Sequence, residues 1–471
     1  MTANIAPARS AAFLILQKVL ADKGNCDTLL HGAGMQSLSP LDRNLCTALV
    51  MGTLRWQRVL DARVREHLSR PTLQLPRPVE LALRLGAFQL LFMDRVPVHA
   101  VLFESVEWVK QSAHPRAAGL VNAVLRKLAA LSKPDRMPSQ QAYPEWIVQR
   151  WRAHYGTEAT EKICAAGQQE AETTVRLFAP DVEEELRAEG VQLAPGKFLS
   201  QARTVVSGDI AATRAVRAGR VHIQDEGSQL VAELLGQGQR MLDCCAAPGG
   251  KTAVLLERSP QASVVACDAG PARLRAMQQR LARPEWHGRV EFLVADAAHL
   301  PEMGLFDRVL CDVPCSGTGT LARNPEIRHR LQPEDLVRQA RRQRSILAGA
   351  LRRLAPGGRL LYATCSLEPE ENEEVVRSSL EAGEHAQQPY VLLDLQEVFE
   401  GLAQQGVVAG PAVDHLRTTG FRAGFLRTLP GVHPSDGFFA ALLGRRPFNA
   451  AQSSESWPQP GRGCLARGPG K

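Results

Sequence analysis

The chain has 471 residues, 44% of them hydrophobic, and a formal charge of +7; this length suggests about three domains rather than one core. It holds no apolar run long enough to span a bilayer and no signal-peptide pattern at its start, which argues against membrane and secreted classes and for a cytoplasmic protein. Residues 1–134 hold 17 Lys plus Arg against 9 Asp plus Glu, and the remainder 39 against 40, so the basic excess sits in the N-terminal region, as expected if it meets a polyanion, although scattered solvated arginines would give the same count.

Apolar residues recur at helical spacing over 6–22, 41–69, 78–94, 98–112 and 116–131, with Pro71, Pro76, Pro78 and Pro97 marking connections. This predicts an all-α domain over 1–134. Asp42-Arg43, Gly52-Thr53-Leu54-Arg55, Leu83-Arg84-Leu85-Gly86 and the segment 119–126 resemble the NusB-like helical domain, whose members bind RNA. A polar linker is expected over 135–145. Residues 146–235 mix a helical opening with short strand-like runs, including 173–178, and read as a small α/β subdomain; Gln224, Asp225, Glu226 and Ser228 precede its last helix.

The stretch 241–252 organises the C-terminal half of the chain. Met241 and Leu242 form a short apolar run, and Cys245, Ala246, Ala247, Pro248, Gly249, Gly250 and Lys251 make a sharp turn into a helical pattern from Thr252. A strand, a tight turn and a helix N-terminus form a nucleotide-type cofactor site. The Gly-Lys-Thr ending is not a P-loop, because Cys245 stands where that pattern needs glycine. Four more apolar runs end in polar or reactive residues: 263–267 at Asp268, 290–295 at Asp296, 306–311 at Asp312, and 359–363 at Thr364 and Cys365. This is the alternation of a Rossmann-like doubly wound sheet delivering its strand ends to one edge. Asp268, about 20 residues past the turn, is placed to accept hydrogen bonds from ribose hydroxyls, and Asp296 could receive an adenine amino group. Helix N-capping is the alternative role for each aspartate. The segments 423–429 and 437–443 are expected to close the sheet as a hairpin, which ends the domain assigned to 236–445. The carboxylates Glu368, Glu370, Glu371, Glu373 and Glu374 read as a solvated helix start, and 446–471 as a disordered tail.

Ten cysteines, six of them on or beside the sheet, follow no disulfide or zinc spacing and are expected to be reduced, with no metal. Two compete for a reactive role: Cys315 in Asp312-Val313-Pro314-Cys315-Ser316-Gly317, and Cys365 in Thr364-Cys365-Ser366. Either could be only a small buried hydrophobe. With a methyl donor in the cofactor site, a thiolate added to carbon-6 of cytosine would make carbon-5 nucleophilic enough to take the methyl group, and a carboxyl such as Asp312 near N3 and the exocyclic amine would favour that addition.

At these residues the chain, from about 6 to 445, resembles the bacterial 16S rRNA cytosine-5 methyltransferases with a fused NusB-like domain, within the RsmB/NOP (Sun/Fmu) family. The most specific parts are 243–252, 312–317, Arg323-Asn324-Pro325-Glu326, Thr364-Cys365-Ser366 and Asp436-Gly437-Phe438-Phe439. The resemblance implies that residues 245–251, Asp268, Asp296 and Asp312 bind S-adenosylmethionine, that Cys365 is the nucleophile, and that Cys315 assists release of the methylated RNA. It further implies a 16S rRNA substrate and a monomer, with no membrane and no DNA partner. Val313 replaces the family's usual alanine, and Leu177-Phe178 an expected Val-Asn pair. A tRNA-directed enzyme and a methylation-inactive RNA-binding assembly factor remain the alternatives.

Overall fold

The computed structural model describes residues 5–131, 138–179, 181–385 and 390–445. The tail 446–471, expected to be disordered, and residues 132–137, which include the first three of the expected linker, lie outside them.

Five long helices, Pro7–Leu20, Pro40–Glu66, Arg77–Phe92, Val98–Gln111 and Ala118–Ala129, pack around one apolar core that includes Leu16, Leu49, Leu54, Leu83 and Leu125. The longest begins where Ser39 accepts a hydrogen bond from the Asp42 N–H (3.1 Å) ahead of Pro40 at the first helical position. Gly52 inside it weakens the isolated helix by about 1 kcal/mol relative to alanine. A Cβ there would lie 1.9 Å from the Phe88 ring, so the glycine permits the close approach of the neighbouring helix. Two short helices, Cys26–Leu30 and Ala33–Gln36, were not legible as periodicity because each spans about one turn.

The expected linker is not a free tether at its C-terminal end. Ala142 and Tyr143 are buried with Val59 of the long helix and with Ile147, Trp151, Leu321 and Leu367. The helical opening is Glu145–Ala166, interrupted at Gly156, whose φ of 80° and ψ of 170° are non-helical. Strands β1 (Thr174–Leu177), β2 (Gln192–Pro195), β3 (Ala202–Ser207) and β4 (Val221–Ile223) then form an antiparallel sheet in the order β2-β3-β1-β4. Helix Glu226–Leu234, expected within this subdomain, buries Leu230, Val231 and Leu234 in the core of the following sheet.

That sheet contains β5 (Arg240–Asp243), β6 (Ser263–Asp268), β7 (Val290–Val294), β8 (Phe306–Asp312), β9 (Leu354–Thr364), β10 (Tyr390–Leu393), β11 (Phe421–Arg422), β12 (Phe425–Arg427) and β13 (Phe439–Arg445). Its order is β11-β12-β13-β9-β8-β5-β6-β7, with β10 also pairing β13. Strands β5 to β9 are parallel, and β13 runs antiparallel to β9 with Phe439 opposite Thr364. The chain moves from β5 towards β6 and β7, then returns to lay β8 on the other side of β5. The crevice for a ligand therefore opens at the carboxyl ends of β5 and β8. The expected hairpin segments do pair, Leu426 with Ala440 and Arg427 with Phe439, but β10 and β11 extend the closing layer. No helix among the described residues is long and apolar enough to cross a membrane.

Candidate active site between the strand ends

The turn after β5 runs into helix Gly250–Arg258 through Gly249, whose φ is 101° and whose Cβ, if present, would lie 2.9 Å from Met277. Glycine is required there both for the left-handed backbone and for the close approach. Asp243, at the end of β5, is buried and accepts a hydrogen bond from Thr252 Oγ1 (2.6 Å), tying strand to helix. Burial pushes its pKa up to about 7, against the Thr252 hydrogen bond.

A cleft of about 230 Å³ opens above these strand ends, and among its walls are Cys245, Ala247, Asp268, Asp296, Asp312, Cys315 and Cys365. Seven of the residues selected from sequence thus share one cavity. Ala246, Pro248, Gly249, Gly250 and Lys251 do not line it: Ala246 and Gly249 are buried in the turn and Pro248 is exposed. Lys251 turns instead to Asp312, with Nζ 2.6 Å from Oδ2, and lies 5.5 Å from the centre of the Phe438 ring. Burial opposes the Lys251 charge, but Asp312 more than offsets this and raises its pKa. Arg273 and Arg342, not selected from sequence, also reach the cleft.

Asp268 accepts from the N–H groups of Gly270 (2.7 Å) and Ala247 (3.3 Å) and from Arg273 Nη2 (2.8 Å). It is therefore both a turn organiser and a cleft wall. Asp296 accepts from the Ala298 N–H (3.0 Å), capping a single turn, and stays exposed. The capping role and the cleft position coexist in both residues.

The two thiols meet at the rim between β8 and β9, Cys315 Sγ 3.4 Å from Cys365 Sγ. Backbone bonds stitch their loops together: Val313 N–H to Ala363 O (3.0 Å), and Gly319 N–H to Cys365 O (2.9 Å). The hydrogen bond with Cys365, followed by burial, raises the Cys315 pKa well above that of a free thiol. The acidic run beyond Cys365 is a solvated helix start only at its end, where Glu373 and Glu374 open helix Glu373–His385 and Glu374 is exposed. Glu368 and Glu371 are buried, and Glu368 accepts from Trp151 Nε1 (3.0 Å) and Arg150 Nε (3.1 Å). Their partners lie more than 200 residues away in the first case and on the Cys315 loop in the second, so no local pattern marked them.

The segment after Cys315 reaches the helical domain. Glu326 accepts from the Cys26 N–H (2.9 Å), His329 Nε2 lies 2.7 Å from Leu54 O, and Arg55 Nη2 donates to Ala322 O (2.9 Å). Arg323 joins Asp436 (2.7 Å) and Asp225 (3.2 Å). Phe178, within the pair that departs from the family's Val-Asn, packs edge-on against His222 and Trp286, with ring centroids 4.7 and 5.4 Å away.

A parallel sheet with a glycine turn after β5, carboxylates at the ends of β6, β7 and β8, and two thiols at its rim defines a Rossmann-like enzyme domain, here joined to an antiparallel sheet and a helical domain. A family model described as 16S rRNA methyltransferase RsmB/F matches residues 233–444, the NusB family matches 6–130, and an RsmF/B-like methyltransferase ferredoxin-like domain matches 143–207. Ribosomal RNA small subunit methyltransferase B of Xanthomonas campestris is 33% identical over 460 residues, covering 94% of this chain and 99% of the relative. Its namesake from Vibrio cholerae is 30% identical over 458 residues, covering 93% and 97%. The crystal structure of PH0851 shares the fold, with a TM-score of 0.75, 23% identity, and coverage of 94% of this chain and all of the other. The chain belongs to the 16S rRNA methyltransferase RsmB/F family.

Proposed function

We propose that the protein methylates carbon-5 of a cytosine in 16S rRNA through a covalent bond between Cys365 and the base. The single observation that carries this reading is the pair of thiols 3.4 Å apart on the wall of the same cleft as Asp268, Asp296 and Asp312. The donor set suits S-adenosylmethionine, since carboxylates can accept from ribose hydroxyls and an adenine amino group and tolerate a sulfonium charge. Asp268, Asp296 and the turn 245–250 would hold it. When bound, it supplies the methyl group to carbon-5.

The chain's own groups divide the remaining work. Cys365 adds as thiolate to carbon-6, forming the C–S bond and shifting an electron pair towards N3 and the carbonyl. Asp312 Oδ2 is held by Lys251, whereas Oδ1 has no hydrogen-bond partner among the described residues. Asp312 is thus available to the N3 and amine edge of the base, with Lys251 fixing its orientation. After methylation the carbon-5 proton leaves to solvent, the ring double bond reforms and the C–S bond breaks, returning its electron pair to Cys365. Cys315, within hydrogen-bond reach, stabilises that departing sulfur. The helical domain, bonded to the Cys315 side of the site through Glu326, His329 and Ala322, would present the RNA to it.

Bisulfite sequencing of RNA from cells with and without the gene tests the reading. One protected cytosine in 16S rRNA should become reactive when the gene is absent. Loss of protection in tRNA alone, or no change, would assign the protein to another substrate or to a non-methylating role. Within the site, Asp268→Ala is expected to weaken S-adenosylmethionine binding by about 1.5 to 3 kcal/mol, the range for hydrogen bonds to a charged group, with RNA affinity unchanged. Calorimetry giving equal cofactor affinity in both proteins would remove Asp268 from the site.

A further inference from the structure

Glu371 is fully buried between the two thiol loops and takes no part in the addition, transfer or elimination steps. Its Oε1 accepts from the Ser316 N–H (2.9 Å) and from Gln343 Nε2 (3.0 Å); its Oε2 accepts from Ser366 Oγ (2.5 Å) and from Ser316 Oγ. Ser316 follows Cys315 and Ser366 follows Cys365, so one carboxylate grips the residue next to each sulfur. Gln343 also donates to Pro314 O (2.9 Å), just before Cys315, and Asn372 holds the other loop through Ser366 O (2.9 Å) and Thr364 Oγ1 (2.5 Å). Burial pushes the Glu371 pKa up, while these donors hold it back. An N–H donor on Oε1 leaves no room there for an acid proton, and a carboxylate that only accepts fits the ionised form.

We propose that Glu371 is the positioning residue of the thiol pair, a single charged carboxylate that holds the Cys315 and Cys365 loops in register and places negative charge on the Cys315 side. The charges around the pair are unequal. The hydrogen bond with Cys365 and burial raise the Cys315 pKa, and Glu371 adds to them, whereas the Lys251 ammonium interacts with Cys365. Asp312 pairs with Lys251, Arg273 and Arg342 stand on the cleft wall, and the Tyr362 hydroxyl donates to Glu371 O (2.6 Å). The result is that Cys315 stays a thiol, able to donate a hydrogen bond to the Cys365 sulfur. Its consequence for catalysis rests on the cytosine carbon-5 reading; the electrostatic asymmetry does not.

The test is alkylation of Cys315 with iodoacetamide between pH 6 and 10, in full-length protein without RNA or cofactor, read by peptide mass spectrometry. In Glu371→Gln the Cys315 midpoint should fall by about one pH unit, or about tenfold more thiolate at a given pH, while Glu371→Asp, which keeps the charge, should stay near the parent. An unchanged midpoint in Glu371→Gln overturns the proposal. So does faster reaction of both Cys315 and Cys365 at every pH, which is what a merely loosened loop would give. Should Glu371→Gln not fold, Ser316→Ala carries the test, since it cuts one tether and keeps the charge: kcat should fall at least about tenfold with the KM for S-adenosylmethionine within twofold, and an unchanged kcat overturns the positioning role. Failure of the parent protein to methylate cytosine would remove the carbon-5 reaction and leave the alkylation profiles standing.

Discussion

A Cys315→Ala protein incubated with 16S rRNA and S-adenosylmethionine is expected to accumulate a protein–RNA complex that survives denaturation, whereas Cys365→Ala should form none and lose methylation. The two sulfurs are 3.4 Å apart, so proximity to the base does not distinguish them; their surroundings do. Cys315 is held as a thiol by its hydrogen bond to Cys365, by burial and by the Glu371 carboxylate, whereas the charge on the Cys365 side is the Lys251 ammonium. With Cys365 removed, the remaining Cys315 stays a thiol and does not attack carbon-6. With Cys315 removed, attack and methyl transfer proceed, but the departing Cys365 sulfur loses its hydrogen-bond donor and the C–S bond persists. Denaturing gels with labelled RNA separate the outcomes: an adduct with Cys365→Ala instead would make Cys315 the nucleophile, and none in either variant would reduce both thiols to packing.

The second large effect is on stability. Arg176, in β1, is buried and bridges Glu233 (2.7 Å) and Glu257 (2.6 Å), joining the antiparallel sheet to two helices of the Rossmann-like domain. Burial works against its charge, but the two glutamates outweigh this and raise its pKa. Arg176→Met would leave Glu233, itself buried, with only Arg258 (2.9 Å) as an ion-pair partner among the described residues. Breaking a buried pair from one side costs about 3 to 5 kcal/mol, and the remaining Arg258 contact places the expected loss near the lower bound, about 3 kcal/mol. The urea midpoint should fall accordingly, and adding Glu233→Gln should recover part of the loss by removing the stranded charge. A loss below about 1 kcal/mol would mean that water or relaxation satisfies the glutamates.

Features that depend on period and on local backbone chemistry could be read from the chain alone. The five long helices, the parallel strands and their terminal carboxylates were legible because burial repeats every 3.6 residues on a helix and because buried parallel strands are continuous apolar runs. The turn at 245–250 was legible because few residue types permit it, and motif resemblance carried Cys315 and Cys365. Other features arose only when distant segments met. Folding paired Lys251 with Asp312, a partner 61 positions away on the cleft wall. It buried Glu371 against Ser316, 55 positions away, where the sequence suggested a solvated helix start. It also packed Tyr143, read as linker, beneath the catalytic domain. A carboxylate in an acidic run looks the same in sequence whether it faces water or four hydrogen-bond donors, because the donors that make burial tolerable arrive from other parts of the chain only when the sheet closes.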